Sequence, residues 1–191
     1  MITNEIRYKE YKLEGLLDSW QLYKEENSEI DYEATIIKTF QKQFSVSEDE
    51  YNGYKEKYSD IPKIKKKYTG ERKKEFKVIE FYDWYTRQDQ SCGYCGITQD
   101  ELYELFANTD NRVLPLNDAQ KRSSGTLEIE RKDSQSNIYD STNSILACPL
   151  CNNAKSNLIG EESWRNLFVN AMRNYYEKLL GKKLEKPNPS I

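Results

Sequence analysis

All four cysteines of the 191-residue chain fall into two Cys-x-x-Cys pairs, Cys92 with Cys95 and Cys148 with Cys151. Two such pairs supply the four thiolates of a closed, tetrahedral structural zinc site. The chain has no histidine, so any metal site must use Cys, Asp, Glu, Asn or backbone ligands. The alternatives are a redox pair or four core thiols without metal. We predict one structural Zn²⁺ bound by all four cysteines, with no open position for catalysis.

The segment between the two cysteine pairs is long for a simple zinc ribbon and carries polar residues in a specific order. It reads CGYCG, LEIER, a tyrosine, an asparagine and then LACPLCNNAKSN. In this order and spacing, residues 91–160 resemble the HNH (ββα-metal) endonuclease family. The closest likeness is to the branch that reads Asp-Arg where most members read Asp-His. The resemblance implies a metal-dependent enzyme that hydrolyses DNA phosphodiester bonds.

The resemblance also implies a role for each matching residue. Glu130 occupies the acidic metal-ligand position at the end of the first strand, and Asn152 occupies the second ligand position on the helix. A carboxylate and an amide oxygen suit a hard cation such as Mg²⁺ or Mn²⁺. Arg131 stands where most members have a histidine base. Asn143 orders the loop between the strands, and Tyr139 precedes it by four residues, where this branch carries a tyrosine.

Two departures from the family pattern change the expected chemistry. The usual aspartate is replaced by Glu130, and Glu128 competes for the ligand role because it lies on the same strand face. Arginine cannot accept a proton, so Arg131 is expected to grip the scissile phosphate and stabilise developing negative charge. Water activation then falls to the metal, with help from Tyr139 or from bulk solvent.

Each of these residues also has a plain structural interpretation. Glu130 and Arg131 could form a surface ion pair. Tyr139 could pack against the loop, and Asn152 could cap the helix, a position that asparagine favours. If these residues have only structural roles, the chain is a zinc module that binds nucleic acid or a protein partner without cleavage. This is the alternative function.

Lysine and arginine are concentrated between Lys63 and Lys77, in a chain of net charge −3. Clustered cations release counterions when they bind nucleic acid, although such a run can also be a solvated helix face. Lys155, near the last cysteine pair, is a further candidate for phosphate contact or solvated surface. The predicted nucleic-acid-binding residues are Lys65, Lys66, Lys67, Arg72, Lys73, Lys74 and Lys155.

Residues 1–90 are predicted to be helical, because apolar residues recur at helical spacing. The repeating positions are Leu13, Leu16, Leu17, Trp20 and Tyr23 in one helix, and Ile36, Ile37, Phe40 and Phe44 in the next. Either Ser45 with Glu48 or Ser47 with Glu50 is expected to form a capping box that opens a further helix.

Residues 91–160 carry strands as well as helices. Thr98 with Glu101 predicts a capping box for a helix from Gln99 to Asn108. Residues 126–130 alternate as a strand does, residues 144–147 form a second short strand, and the sequence Cys148-Pro149 opens a helix.

Residues 161–181 are predicted to form one helix that ends at Gly181. Its expected apolar stripe is Trp164, Leu167, Phe168, Ala171, Met172, Tyr175 and Leu179. The predicted fold class is α+β: a mostly helical chain that carries a zinc-stapled ββα-metal core. The expected organisation is a helical N-terminal region over residues 1–90, a nuclease core over 91–160, and a C-terminal helix and tail over 161–191.

The distribution of apolar residues indicates the expected location and partners of the protein. There is no long apolar run and no apolar signal region near the first residues, so we expect a cytoplasmic protein without a membrane partner. The expected partner is DNA, with a protein partner or a second copy bound through the helical regions. Within the nuclease interpretation, a restriction enzyme or an antiphage-defence effector is expected.

Overall fold

A computed structural model describes residues 2–17, 32–70, 72–107 and 125–187. The chain divides into two compact units, Met1–Tyr85 and Thr86–Ile191. The described residues are mostly helical and include one two-stranded antiparallel sheet, which confirms the predicted α+β class. Among the helices of these segments, none has the length and apolar character needed to cross a membrane.

The first unit is built from short helices around an aromatic core. Tyr8 lies at its centre, with the rings of Phe40 and Tyr51 packed edge-on against it. Leu17 and Val46 complete the buried cluster. The helices are α1 Asn4–Glu14, α2 Tyr32–Phe44, α3 Glu48–Lys57, α4 Ile61–Lys65, α5 Arg72–Glu75 and α6 Val78–Thr86.

Local signals set the helix ends in this unit. The Ser47–Glu50 capping box is present at the start of α3, which confirms the second of the two predicted boxes. The first helix ends earlier than predicted, because Gly15 takes a left-handed conformation and closes α1 at Glu14. The predicted positions Trp20 and Tyr23 lie outside the described residues.

The second unit contains the sheet and the cysteines. Strand β1 pairs antiparallel with β2, with Glu128 opposite Ala147 and Arg131 opposite Ser144. The predicted capping box between Thr98 and Glu101 is present. The elements are α7 Gln99–Ala107, β1 Glu128–Arg131, β2 Ser144–Ala147, α8 Pro149–Lys155, α9 Glu161–Ser163 and α10 Val169–Leu180. The strand–strand–helix order predicted for the cysteine segment is therefore present.

The C-terminal helix differs from the prediction in its register. A π-helical turn, Trp164–Phe168, separates α9 from α10, and the N–H of Val169 bonds to the carbonyl of Trp164. A π turn adds one residue to the helical repeat. Trp164 is buried as predicted, but the next buried position on the segment is Tyr176 and not the predicted Tyr175, and the predicted stripe member Leu167 is 71% exposed.

Candidate metal centre and neighbouring polar site

The four cysteines converge as the sequence predicts. Their sulfur atoms all lie within 4.8 Å of one another, and all four side chains are buried. The sulfurs of Cys95 and Cys148 are 3.8 Å apart, far beyond the roughly 2 Å of a disulfide. Sulfurs placed tetrahedrally at about 2.3 Å from a zinc ion are about 3.8 Å apart. The cluster can therefore hold a metal ion such as zinc.

Local backbone geometry forms both halves of the cluster. In the first pair, Gly96 takes a left-handed conformation, with φ +83°, and its N–H bonds back to the carbonyl of Cys92. In the second pair, Cys148 is the N-cap of α8, and its sulfur accepts a hydrogen bond from the N–H of Cys151 at 3.3 Å. A hydrogen bond from Gly93 N–H to the carbonyl of Leu146 joins the first pair to β2. The sulfur atoms of both cysteine pairs therefore face the same small volume.

Charge explains why a cation belongs there. Burial is the largest influence raising the pKa of Cys95 well above its ordinary value. At Cys92, hydrogen bonds from the neighbouring cysteines outweigh burial and hold its pKa well below the ordinary value. Four buried thiolates this close would need a cation among them, which a bound metal ion would supply.

Side chains from the C-terminal helix hold the first cysteine pair, which the sequence reasoning did not foresee. Arg173 donates to the carbonyl of Cys95 at 2.8 Å, and Arg165 donates to the carbonyl of Gly93 at 3.1 Å. The Arg165 guanidinium also lies over the ring of Tyr94. No short motif marks either arginine, because each is recruited only through the tertiary packing.

The polar residues of β1 and α8 meet on one face of the sheet. Glu128 and Glu130 lie two residues apart on β1, and Asn152 and Lys155 lie three residues apart on α8. The side-chain amide of Asn152 donates to the carboxylate of Glu128. The ammonium of Lys155 lies 3.4 Å from a carboxylate oxygen of Glu130. The contacts Asn152–Glu128 and Lys155–Glu130 therefore join the helix to the strand.

These pairs decide two of the alternatives left open by the sequence. Asn152 does not cap α8, because Cys148 is its N-cap. Glu130 pairs with Lys155 rather than with its neighbour Arg131. Burial raises the pKa of Glu130, although Lys155 and Arg131 partly oppose that shift.

Lys155 is placed differently from the prediction. Its side chain is 0% exposed. Besides Glu130, its ammonium donates to the carbonyl of Arg131 at 3.1 Å and to the hydroxyl of Ser134 at 2.9 Å. The expected phosphate contact is therefore not available to Lys155. The residue instead fixes the end of β1 and the start of the following loop.

Removing the Lys155 ammonium is expected to destabilise the second unit. Lys155→Met leaves the Glu130 carboxylate buried without its partner, which costs about 3 kcal/mol or more. Urea unfolding would measure the loss. Lys178→Met, at an exposed lysine of α10, is the matched control and should change stability by no more than about 0.5 kcal/mol. Equal unfolding midpoints for the two variants would contradict this role of Lys155.

Arg131 and Tyr139 form a second polar group at the end of β1. The guanidinium of Arg131 lies over the ring of Tyr139, 5.2 Å from its centroid, and donates to the side-chain carbonyl of Asn137. Tyr139, in the loop between β1 and β2, thus packs against Arg131. The two contacts fix the direction of the guanidinium.

Asn143 ties together the loop between the strands. Its side-chain oxygen accepts from the N–H of Asp133 at 2.7 Å. Its side-chain nitrogen donates to the carbonyl of Asp133, to the Ser136 hydroxyl and to the carbonyl of Ile138. Because the oxygen and the nitrogen of its side-chain amide both form hydrogen bonds, Asn143 stabilises the conformation of the loop that carries Tyr139.

The predicted basic residues of the first unit fall into two groups. Lys65 donates to the carbonyl of Lys12, and Arg72 donates to the carbonyl of Lys67. The ammonium of Lys67 lies over the ring of Tyr85, 5.9 Å from its centroid. The remaining predicted residues are exposed: Lys66, Lys73 and Lys74. The first group therefore has structural contacts within the unit, and the side chains of the second group are exposed.

The chain matches no protein-family model, no curated protein and no solved structure. Any function must therefore be argued from the residues themselves. Two features carry that argument: the buried cluster of four cysteines, and the polar face on which β1 meets α8.

Proposed function

We propose that the second unit is a metal-dependent endonuclease of the HNH type, which hydrolyses phosphodiester bonds in DNA. One observation carries the proposal: the β1–β2–α8 unit, next to the cysteine cluster, carries the acid and arginine of the motif at the end of β1 and the asparagine on the helix that packs against this strand. Glu130 and Arg131 end β1, and Asn152 faces that strand from α8. A zinc ribbon that served only as a scaffold would have no need of this set.

The donor set fits a hard divalent cation. Glu128 and Glu130 present carboxylates on the face of β1 that Asn152 approaches, and Mg²⁺ and Mn²⁺ prefer oxygen ligands of this kind. Lys155 neutralises one of the two carboxylates, which leaves a net negative charge on the face. The family resemblance favours Glu130 and Asn152 as the ligands, whereas the Asn152 contact favours Glu128. A cation bound there would activate water for hydrolysis.

Arg131 is proposed to bind the scissile phosphate. Its guanidinium is directed by Asn137 and by the ring of Tyr139, so little conformational freedom is lost when a phosphate binds. A fixed guanidinium matches two phosphate oxygens at once and stabilises charge that develops on them. Tyr139 is proposed to orient this group and to contact the phosphate beside it.

A non-catalytic zinc module is the second candidate. One observation favours it: the chain has no histidine and therefore lacks the usual base of the family. This candidate predicts nucleic-acid or protein binding without cleavage. The proposed enzyme needs no histidine if the cation lowers the pKa of a bound water.

Plasmid nicking separates the two candidates. Supercoiled DNA is incubated with the zinc-loaded protein and either Mg²⁺ or Mn²⁺, and open-circle product is measured over time. The enzyme should nick in either metal, lose activity in EDTA and recover it when the metal is restored. Binding to the plasmid without nicking in either metal would support the zinc module instead.

The first unit is proposed to bring DNA or a protein partner to the enzyme, including a second copy of the chain. An acidic chain with one basic segment fits a cytoplasmic effector that a partner recruits, in restriction or antiphage defence, better than a free DNA-binding protein. Co-purification followed by cutting assays on plasmid and phage DNA would identify the partner and the preferred substrate.

The exposed basic residues give a separate prediction for DNA binding. The double variant Lys66→Gln and Lys73→Gln should bind DNA more weakly. The slope of log affinity against log salt should fall by about 0.9 for each phosphate that the variant no longer neutralises. The matched control replaces Lys38 and Lys42, which are exposed on α2, and should keep the parental slope. Identical slopes for both variants would assign the basic segment to solvated surface or to a protein partner.

A further inference from the structure

Tyr176 is a buried tyrosine whose hydroxyl has no protein oxygen or nitrogen to bond with among the described residues. The residue is 1% exposed, and its hydroxyl makes no hydrogen bond within the part of the chain that the structure describes. A buried donor left without a partner costs free energy, and native proteins rarely tolerate one. The site around Tyr176 therefore lacks an acceptor that the functional protein should supply.

The cysteine cluster is the group beside this hydroxyl. Helix α10, which carries Tyr176, packs against α8, and α8 begins immediately after Cys148. Arg173, one helical turn before Tyr176 on α10, donates to the carbonyl of Cys95 at 2.8 Å, so this face of the helix lies against the cluster. Burial raises the pKa of Tyr176, and the side chain of Cys148 adds to that shift. A neutral thiol is a weak acceptor, but a metal-bound thiolate is a good one. Metal binding would thus turn a neighbouring cysteine sulfur into the acceptor that the hydroxyl lacks.

We propose that Tyr176 donates an O–H···S hydrogen bond to the metal-bound sulfur of Cys148. Four thiolates around one Zn²⁺ carry a net negative charge, and a hydrogen bond to sulfur stabilises that charge inside a buried site. Groups that bond to metal ligands in this way orient the ligands and strengthen metal binding. Tyr176 is therefore a positioning residue of the zinc site, and it acts independently of the proposed nuclease activity.

Two arginines, Arg173 on α10 and Arg165 in the π turn before it, keep this helical segment in the place that the bond requires. Arg173 bonds to the carbonyl of Cys95, and Arg165 bonds to the carbonyl of Gly93. Together with Tyr176, they hold the C-terminal helix against both halves of the cluster. Metal loss should therefore loosen α10 as well as the cysteine segment.

Tyr176→Phe tests the bond, because it removes only the hydroxyl oxygen. We expect the variant to release zinc to a chelator about tenfold faster or more, in line with the loss of other bonds to metal ligands. In Co²⁺-loaded protein, the sulfur-to-cobalt charge-transfer band should move to longer wavelength, since the sulfur loses its hydrogen bond. Tyr175→Phe, on the adjacent and more exposed tyrosine, is the control and should change neither quantity.

An unchanged release rate and an unchanged band in Tyr176→Phe would overturn the proposal. Removal of a partnerless hydroxyl should then be neutral or stabilising. A second measurement uses the unaltered chain loaded with NMR-active cadmium. The Tyr176 hydroxyl proton should show a scalar coupling to the metal through the Cys148 sulfur. Absence of that coupling, with the proton resonance assigned, would overturn the proposal even if the variant failed to fold.

Discussion

Cys148→Ser should empty the metal site and prevent the second unit from folding stably. Structural zinc contributes about 10–16 kcal/mol of binding free energy in small zinc-dependent folds, as much as the whole stability of an ordinary domain, about 5–15 kcal/mol. Serine is itself a favoured N-cap, so the cap of α8 that Cys148 provides is kept. The expected loss therefore reports on metal binding and not on the cap.

Elemental analysis and thermal unfolding would measure this effect. The parental protein should contain one zinc per chain, and Cys148→Ser should contain almost none and lose its cooperative transition. Ala154→Ser, at an exposed position of the same helix, is the control and should retain both. A well-folded parental protein without metal, or a Cys148→Ser protein with parental stability, would contradict the zinc assignment.

Glu130→Gln and Arg131→Met should each lower DNA cleavage by about a hundredfold or more while zinc content stays at that of the parental protein. Glutamine is preferred to alanine at Glu130, because its side-chain oxygen can still accept from the buried Lys155. Loss of activity in this variant then reports on the carboxylate charge. Arg131→Met removes the guanidinium and keeps an apolar side chain against Tyr139.

Glu128→Gln tests which of the two glutamates of β1 binds the catalytic cation. Parental activity in this variant, together with loss in Glu130→Gln, would support Glu130 as the ligand that the family resemblance implies. The reverse pattern would assign the cation to Glu128, the acid that Asn152 contacts. Parental activity in Arg131→Met would remove that residue from the proposed phosphate site.

The sequence predicted those parts of the fold that local chemistry decides. The cysteine spacing predicted the cluster, because a Cys-x-x-Cys turn has few ways to present two sulfurs. Pro149 marked the first turn of α8, and the Ser47–Glu50 pair marked the start of α3, because capping depends on neighbouring residues alone. Strand β2 begins and ends at the predicted residues 144 and 147.

The sequence did not predict the burial and contacts of residues whose surroundings depend on packing between distant parts of the chain. Lysine is rarely buried completely, so nothing local indicated that Lys155 would lie between β1 and the following loop. The contact between Asn152 and Glu128 likewise depends on how α8 lies across the strand. In the C-terminal helix the prediction used a regular repeat, and after the π turn at Trp164–Phe168 the buried tyrosine is Tyr176 and not the predicted Tyr175.

The proposed function depends on a catalytic cation held between β1 and α8 for DNA hydrolysis. The decisive quantity is the rate of plasmid nicking in Mn²⁺, compared between the parental protein and the Asn152→Ala and Glu130→Gln variants at equal zinc content. We expect nicking by the parental protein that EDTA abolishes, and a rate lower by about a hundredfold or more in both variants. Nicking at the parental rate in both variants would contradict the proposed cation site, and the absence of nicking by the parental protein itself would leave the zinc-binding interaction module as the function of this chain.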